Sequence, residues 1–220
     1  MKAITKIHRR PSPTITPQAL AWDGDHLWIS SRDLGTLYKI DVETWKIVDE
    51  IDPPGIVWAA VSTGNDEMCF TIGKGVNDDR YVYRYGPNEG FTKLFACPDF
   101  TGSYLSFDGK HLYLSQWYKE RILQFDDRGQ ILRKIDVGAE ICGHTFVDGK
   151  IYVVRGRENK DQPNKSEEWR VARFDPKEES PRVEDLVAVA FAARSLTFDG
   201  QYFWSNHRAE NETMSFSLPS

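Results

Sequence analysis

Residues 104–115 read YLSFDGKHLYLS: a short apolar run, an Asp-Gly pair, and a second apolar run. Asp-Gly between apolar runs is the strongest short signal for a β-hairpin, because both residues tolerate positive φ. The same pattern returns as ALAWDGDHLWIS at 19–30, HTFVDGKIYVVR at 144–155 and SLTFDGQYFWSN at 195–206. A degenerate copy, AAVSTGNDEMCFT at 59–71, carries Thr63-Gly64-Asn65 where the others turn.

The turns at Asp23, Thr63, Asp108, Asp148 and Asp199 are separated by 40, 45, 40 and 51 residues. Such a period is that of propeller blades, roughly 40–45 residues each. Every copy continues into a loop and a third strand (TLYKID, YVYRYG, RILQFD, VARFDP, TMSFSL). A turn and a fourth strand follow in four of them (KIVDEI, TKLFAC, ILRKID, VEDLVAV). The last copy lacks its fourth strand, and the N-terminal AITKIHR, residues 3–9, has no blade of its own. The reading is an all-β, five-bladed β-propeller with four antiparallel strands per blade. The N-terminal strand completes the last blade, which removes exposed sheet edges. One domain is expected over 1–220, with blades at about 13–52, 53–98, 99–139, 140–190, and 191–220 plus 1–12. The one long insertion, residues 155–169, is polar and reads as a surface loop.

A net charge of -5 argues against a general nucleic-acid binder, since phosphate attraction needs a basic surface. No apolar run is long enough to cross a membrane, and the N-terminus has no secretory signal pattern. Cys69, Cys97 and Cys142 are odd in number and widely spaced, which reads as reduced, buried thiols in a cytoplasmic protein. No CxxC or HxxxH spacing occurs, so neither a metal site nor a cofactor is assigned. A monomer is expected.

In a propeller, the first strand of every blade lines the channel. The loops entering it share one rim with the loops joining strands two and three. Side chains converging there form the usual pocket of the fold. Counting back from the turns places Gln18, Trp58, Ser103, Gly143 and Arg194 at this rim, with Tyr104, His144 and Ser195 one residue further in. The loops after the second strands add Arg32, Asp33, Lys74, Trp117, Tyr118, Arg155, Arg157, Glu158, His207 and Arg208. A rim rich in Arg, Trp and Tyr in an acidic chain points to an anionic or polar aromatic ligand, because guanidinium grips carboxylate and indole stacks on planar groups. The candidate ligand-binding residues are Gln18, Arg32, Trp58, Lys74, Tyr104, Trp117, Arg155, Arg157 and Arg194. The candidate acid/base groups are His144, His207 and Glu158. His26 and His111 follow hairpin turns and belong to the opposite rim.

Thr16-Pro17-Gln18-Ala19-Leu20, followed by Trp22-Asp23-Gly24 and Leu37-Tyr38-Lys39-Ile40-Asp41, resembles the first blade of the plant-type glutaminyl cyclotransferases. The resemblance implies a five-bladed propeller with Gln18 facing the pocket. That family carries a Glu-Gly-Leu run in its second blade, and its glutamate is the proposed proton carrier. Trp58-Ala59-Ala60 stands at the corresponding place here.

The functional expectation is a propeller that binds a polar or anionic small molecule in the central cup. If it is an enzyme, a lyase or cyclase is favoured, since no activated nucleophile is visible. His144 would then be the acid/base group, with Arg194 and Arg155 holding the anion. The alternatives are a non-catalytic protein-interaction scaffold and a glutaminyl cyclotransferase-like enzyme or an inactive relative of one.

Overall fold

The computed structural model describes Ile4 and residues 7–75, 79–158 and 167–219. Twenty strands form five antiparallel sheets of four. Blade one holds β2 (Pro17–Trp22), β3 (His26–Ser31), β4 (Leu37–Asp41) and β5 (Lys46–Ile51). Blade two holds β6 (Ile56–Gly64), β7 (Glu67–Gly73), β8 (Tyr81–Gly86) and β9 (Gly90–Ala96). Blade three holds β10 (Tyr104–Phe107), β11 (Leu112–Gln116), β12 (Arg121–Phe125) and β13 (Ile131–Asp136). Blade four holds β14 (Glu140–Val147), β15 (Lys150–Arg157), β16 (Glu168–Phe174) and β17 (Glu184–Val189). Blade five holds β18 (Ala193–Phe198), β19 (Phe203–His207) and β20 (Glu212–Phe216), with β1 (Ile7–Pro11) as its outermost strand. The inner strands β2, β6, β10, β14 and β18 touch in that order, and β18 returns to β2.

Of the expected strand at 3–9, the described residues Ile7, His8 and Arg9 lie in β1, which runs on to Pro11. Ile7–Pro11 pairs with Glu212–Phe216, Ile7 opposite Phe216. Met1, Lys2, Ala3, Thr5 and Lys6 lie outside the described residues. The N–H of Ile4 instead donates to the Ala188 carbonyl of blade four, 3.2 Å away.

The core is divided among the blade interfaces, because each sheet is covered on both faces by its neighbours. Trp28 and Leu37 of blade one meet Val57, Met68 and Phe70 of blade two. Cys69 and Cys97 of blade two meet Leu105, Leu114 and Phe125 of blade three. Ile122 and Ile135 meet Ile151 and Phe174 between blades three and four. Cys142 and Trp169 meet Phe203 and Met214 between blades four and five, and Trp204 closes the ring against Leu27 and Ile40. The three thiols are buried and unpaired. Burial pushes those of Cys69 and Cys97 up to about 12, so they stay protonated. Among the described residues no helix is long and apolar enough to cross a membrane.

The hairpin turns use two chemistries, not one. Only in blade four does Asp-Gly form the expected two-residue turn, with Asp148 at φ 50° and Gly149 at φ 74°. Blade two turns on Asn65 and Asp66, at φ 54° and 60°, one residue later than Thr63-Gly64-Asn65 implied. Asn and Asp tolerate this region, whereas a β-branched Thr resists it. In blades one, three and five only the glycine has positive φ. There the Asp carboxylate closes a longer loop by accepting the backbone N–H groups two and three residues on. Its other oxygen takes the Trp28 or Trp204 indole N–H, or the Tyr113 hydroxyl, five residues on.

Candidate functional site

The loops opposite the hairpin turns surround a cavity of about 370 Å³ at one mouth of the channel. Gln18, Arg32, Trp58, Tyr104, Trp117, Tyr118, Glu158 and Arg208 line it, with Arg80, Thr101 and Ser103. Arg32, Trp117 and Arg208 are equivalent positions, each the first residue after the second strand of blades one, three and five. In blades three and five the loop is a single 3-10 turn, Trp117–Lys119 and Arg208–Glu210. Glu120 and Asn211 close these turns at φ 53°.

Arg208 is the central cation. It donates to the Gln18 side-chain oxygen at 2.6 Å, and among the described residues it pairs with no carboxylate. Burial and then the charge of Arg194 hold its ionisation below the ordinary arginine range. The Gln18 amide also donates to the Trp58 carbonyl, 3.3 Å away. The ring of Tyr104 is 3% exposed and its hydroxyl has no hydrogen-bond partner. Burial pushes this phenol up, while the charges of Arg194 and Arg208 and the neighbouring Gln18 side chain act in the opposite sense. The Arg80 guanidinium stacks on Trp58, 3.9 Å from the ring centre. Trp58 and Trp117 are flat walls, and the indole N–H of each is buried without a partner.

Six of the twelve candidate residues thus meet at the cup: Gln18, Arg32, Trp58, Tyr104, Trp117 and Glu158. The other six do not line it. His144 is buried in the channel wall and faces the far mouth, a slit of about 120 Å³ between the five inner strands. Its Nε2 lies 3.2 Å from the Tyr104 carbonyl, which can only accept, so Nε2 carries the proton. Nδ1 then accepts from the Ser106 hydroxyl at 2.7 Å. Burial lowers the His144 pKa to about 4, so the ring is neutral near neutrality. Counting along the strand puts it near the rim, but its ring is held inward by the Tyr104 carbonyl and the Ser106 hydroxyl.

Arg194 is a structural clasp, 4% exposed. It makes two hydrogen bonds of 2.9 Å to Glu167 and lies 3.5 Å from Glu158. Its guanidinium also stacks over Trp117 and Trp169 at 5.0 and 5.7 Å. Burial works against its charge, and the Glu167 hydrogen bonds outweigh that and raise its pKa. Its strand slips between Arg194 and Thr197. Arg155 points outward, bonding Asp185 and the Val137 carbonyl at 2.7 Å each. With Arg157 it lines a separate cleft of about 260 Å³. Lys74 is exposed beside the cup. His207 packs on Phe191 and faces Glu212 at 3.8 Å, and burial lowers its pKa. His144, His207 and Glu158 therefore do not come together, and among the described residues no three potential metal ligands do. Of the insertion, residues 159–166 lie outside the described residues, while Glu158 and Glu167 at its two roots are both held by Arg194.

The fold and the cup define the class: a five-bladed β-propeller with a basic, aromatic-walled pocket at one mouth. No protein-family model and no curated protein sequence matches the chain. Among solved structures, it is similar to a glutaminyl cyclase from Myxococcus xanthus, with a TM-score of 0.67 and 13% identity, covering 96% of each chain. It is also similar to the PQQ-bound aldose sugar dehydrogenase of Streptomyces coelicolor, with a TM-score of 0.55 and 12% identity, covering 97% of this chain and 98% of that one. Virginiamycin B lyase from Staphylococcus aureus gives a TM-score of 0.55 and 11% identity, covering 97% of this chain and 99% of that one. At these identities the likeness is one of fold, and on this fold sites of unrelated chemistry are found. The likeness to the cyclase agrees, at that level, with the resemblance in the first blade.

Proposed function

We propose that the cup binds a small molecule carrying an anionic group and a flat face. The observation that carries this reading is the pairing of two under-used donors in one cavity. Arg208 has only a neutral amide as partner, and the buried Tyr104 hydroxyl has none. A carboxylate between them would accept from both, and such charge-assisted bonds are the strong ones. Trp58 and Trp117 would hold the flat part by stacking. The role of acid/base group does not pass to His144, whose ring is neutral and turned to the far mouth. Glu158 is the carboxylate among the described lining residues, and Arg194 and the Tyr118 hydroxyl already engage it.

Titration calorimetry with benzoate, indole-3-acetate and phosphate tests the reading. The aromatic carboxylates bind, and Arg208→Gln weakens them roughly tenfold or more. Tyr104→Phe has a smaller effect in the same direction. Equal affinities in wild type and both variants would sink the proposal.

The second reading, a cyclase relative, is favoured by the position of Gln18 in the cup and by the fold likeness. Trp58 opposes it, standing where the family has its acid. Mass spectrometry of an N-terminal glutaminyl peptide incubated with the protein is expected to show no loss of ammonia above the uncatalysed rate.

A further inference from the structure

The surface around the cup offers more apolar contact than a small acid alone would cover. Among the described residues, the exposed large apolar side chains fall into two groups. Ile47, Val48, Leu94, Ile131 and Leu132 sit on the outermost strands. Ile15, Leu34, Phe100 and Tyr118 stand on the loops that form the cup mouth, exposed by 48%, 56%, 53% and 63%. None stands on a hairpin turn at the far mouth.

These four side chains are held outward by fixed backbone. Thr16, next to Ile15, has φ 46°, a rare state for a β-branched residue. It is pinned there by Asn211, whose side-chain oxygen accepts its N–H at 2.7 Å, and by the Arg32 N–H on its carbonyl at 3.0 Å. Phe100 itself has φ 53°, in a turn closed by its N–H to the Cys97 carbonyl at 2.8 Å. The Leu34 N–H donates to the Ser31 hydroxyl, and the Tyr118 hydroxyl to Glu158. At Ile15-Thr16 and at Phe100, exposed apolar groups and left-handed backbone coincide, two separate penalties at one place. That combination marks a surface shaped for contact.

Resting on the reading of the cup as an anion site, we infer that its occupant is the C-terminus of a peptide or protein partner. The terminal carboxylate meets Arg208 and the Tyr104 hydroxyl. The last side chain lies between Trp58 and Trp117, and the preceding apolar residues cover the collar of Ile15, Leu34, Phe100 and Tyr118. Charge complementarity selects a terminus over an internal loop. Arg32 is already paired with Asp33 at 3.0 Å, whereas Arg208 has a neutral amide as its partner, so an uncharged segment leaves Arg208 buried beside Arg194 without a counter-charge.

Native mass spectrometry and fluorescence polarisation on the full chain test the inference. The probes are a pentapeptide pool randomised over Leu, Val, Phe and Tyr at its last two positions, the same pool with C-terminal amides, and N-acetylphenylalanine. The free-acid pool binds roughly tenfold or more tightly than the amides. It also binds more tightly than N-acetylphenylalanine. Leu34→Ser and Phe100→Ser weaken the peptides several-fold and leave N-acetylphenylalanine unchanged. If N-acetylphenylalanine binds as well as the pool and both collar variants are silent, the peptide inference is overturned while the anion cup stands. Amides that bind as well as acids overturn the inference too. If nothing binds and Arg208→Gln changes nothing, the cup reading falls first.

Discussion

At the hairpin mouth, the carboxylates of Asp23, Asp108 and Asp199 each accept two backbone N–H groups and one aromatic side-chain donor. At the cup mouth, Arg208 has one neutral partner and the Tyr104 hydroxyl has none. The same repeat builds both ends. In one, polar groups complete the turns, the slit is small, and among the described residues no large apolar side chain is exposed. In the other, donors stay unsaturated, Thr16 and Phe100 hold left-handed backbone, and apolar side chains face outward. The bonded turns lie at the hairpin end, and the donors left for a ligand under the proposed reading lie at the cup, where each loop is free to differ because none of them must close a tight hairpin.

Arg194 gives the largest way to break this contrast, since it lies beside the cup and yet both its terminal nitrogens are bonded, to Glu167 and the Ala193 carbonyl. Arg194→Ala leaves Glu167 half-buried without its partner and strips the Trp117–Trp169 pair of the cation between them. A loss of about 3–5 kcal/mol is expected, read from urea melts. Arg208→Gln, one blade element away, is expected to stay within about 0.5 kcal/mol of wild type. If the two variants are equally stable, the assignment of one arginine to structure and the other to binding fails.

The second test uses the far mouth and pH. His144 is neutral in the fold with a pKa near 4, against 6.5 for the free side chain. The unfolded chain therefore takes up a proton over that window and the folded chain does not. Stability falls as pH drops from about 6.5 to about 4, by at most roughly 3 kcal/mol from this group. His207 is shifted in the same direction and adds to the slope. Asp23 and Asp108 add a further loss lower down. Burial alone would raise them, but their N–H partners hold them below the ordinary range, so their contribution vanishes only as they protonate. His144→Asn is expected to flatten the upper part of the pH–stability curve. An unchanged slope would mean that His144 is not the buried neutral ring that its contacts require.

The ring itself was legible because the hairpin signal recurs at nearly constant spacing and because β1 answers a missing strand. The cup was legible in part. Gln18, Trp58, Tyr104 and Trp117 follow from counting along strands and loops. His144 and Arg194 do not, since the first is drawn to the Ser106 hydroxyl and the Tyr104 carbonyl and the second to Glu167, partners that a count of positions does not give. Gly143, next to His144, was the available clue. A Cβ there would come within 2.3 Å of the Ser195 backbone, so the neighbouring blade approaches too closely for a regular strand. Arg208 falls at the rim in the loops after the second strands, with Arg32 and Trp117, but stays outside the ligand-binding candidates, because its position alone does not reveal that it is buried with only a neutral partner. Arg80 follows a loop and precedes β8, so no count from a turn or a second strand reaches it.

The finest test of the contrast lies within the hairpin mouth, where two turn chemistries stand side by side. Asp199 closes its loop through the N–H groups of Gln201 and Tyr202 at 2.7 and 2.6 Å and holds the Trp204 indole at 2.6 Å. Trp204 in turn stacks on Trp45 of blade one, with ring centres 6.0 Å apart. Asp199→Ala therefore removes three hydrogen bonds and loosens a ring across the seam between the last blade and the first. The expected loss is about 1–2 kcal/mol. Asp148 makes no such bonds, and its contribution is its tolerance of φ 50°. Asp148→Asn keeps that tolerance and is expected to fall within about 0.5 kcal/mol of wild type. Asp148→Ala should lie between the two. Equal losses for Asp199→Ala and Asp148→Asn in thermal melts would show that the carboxylate loops act only as turns. The aromatic donor five residues on would then contribute nothing to the seam that closes the ring.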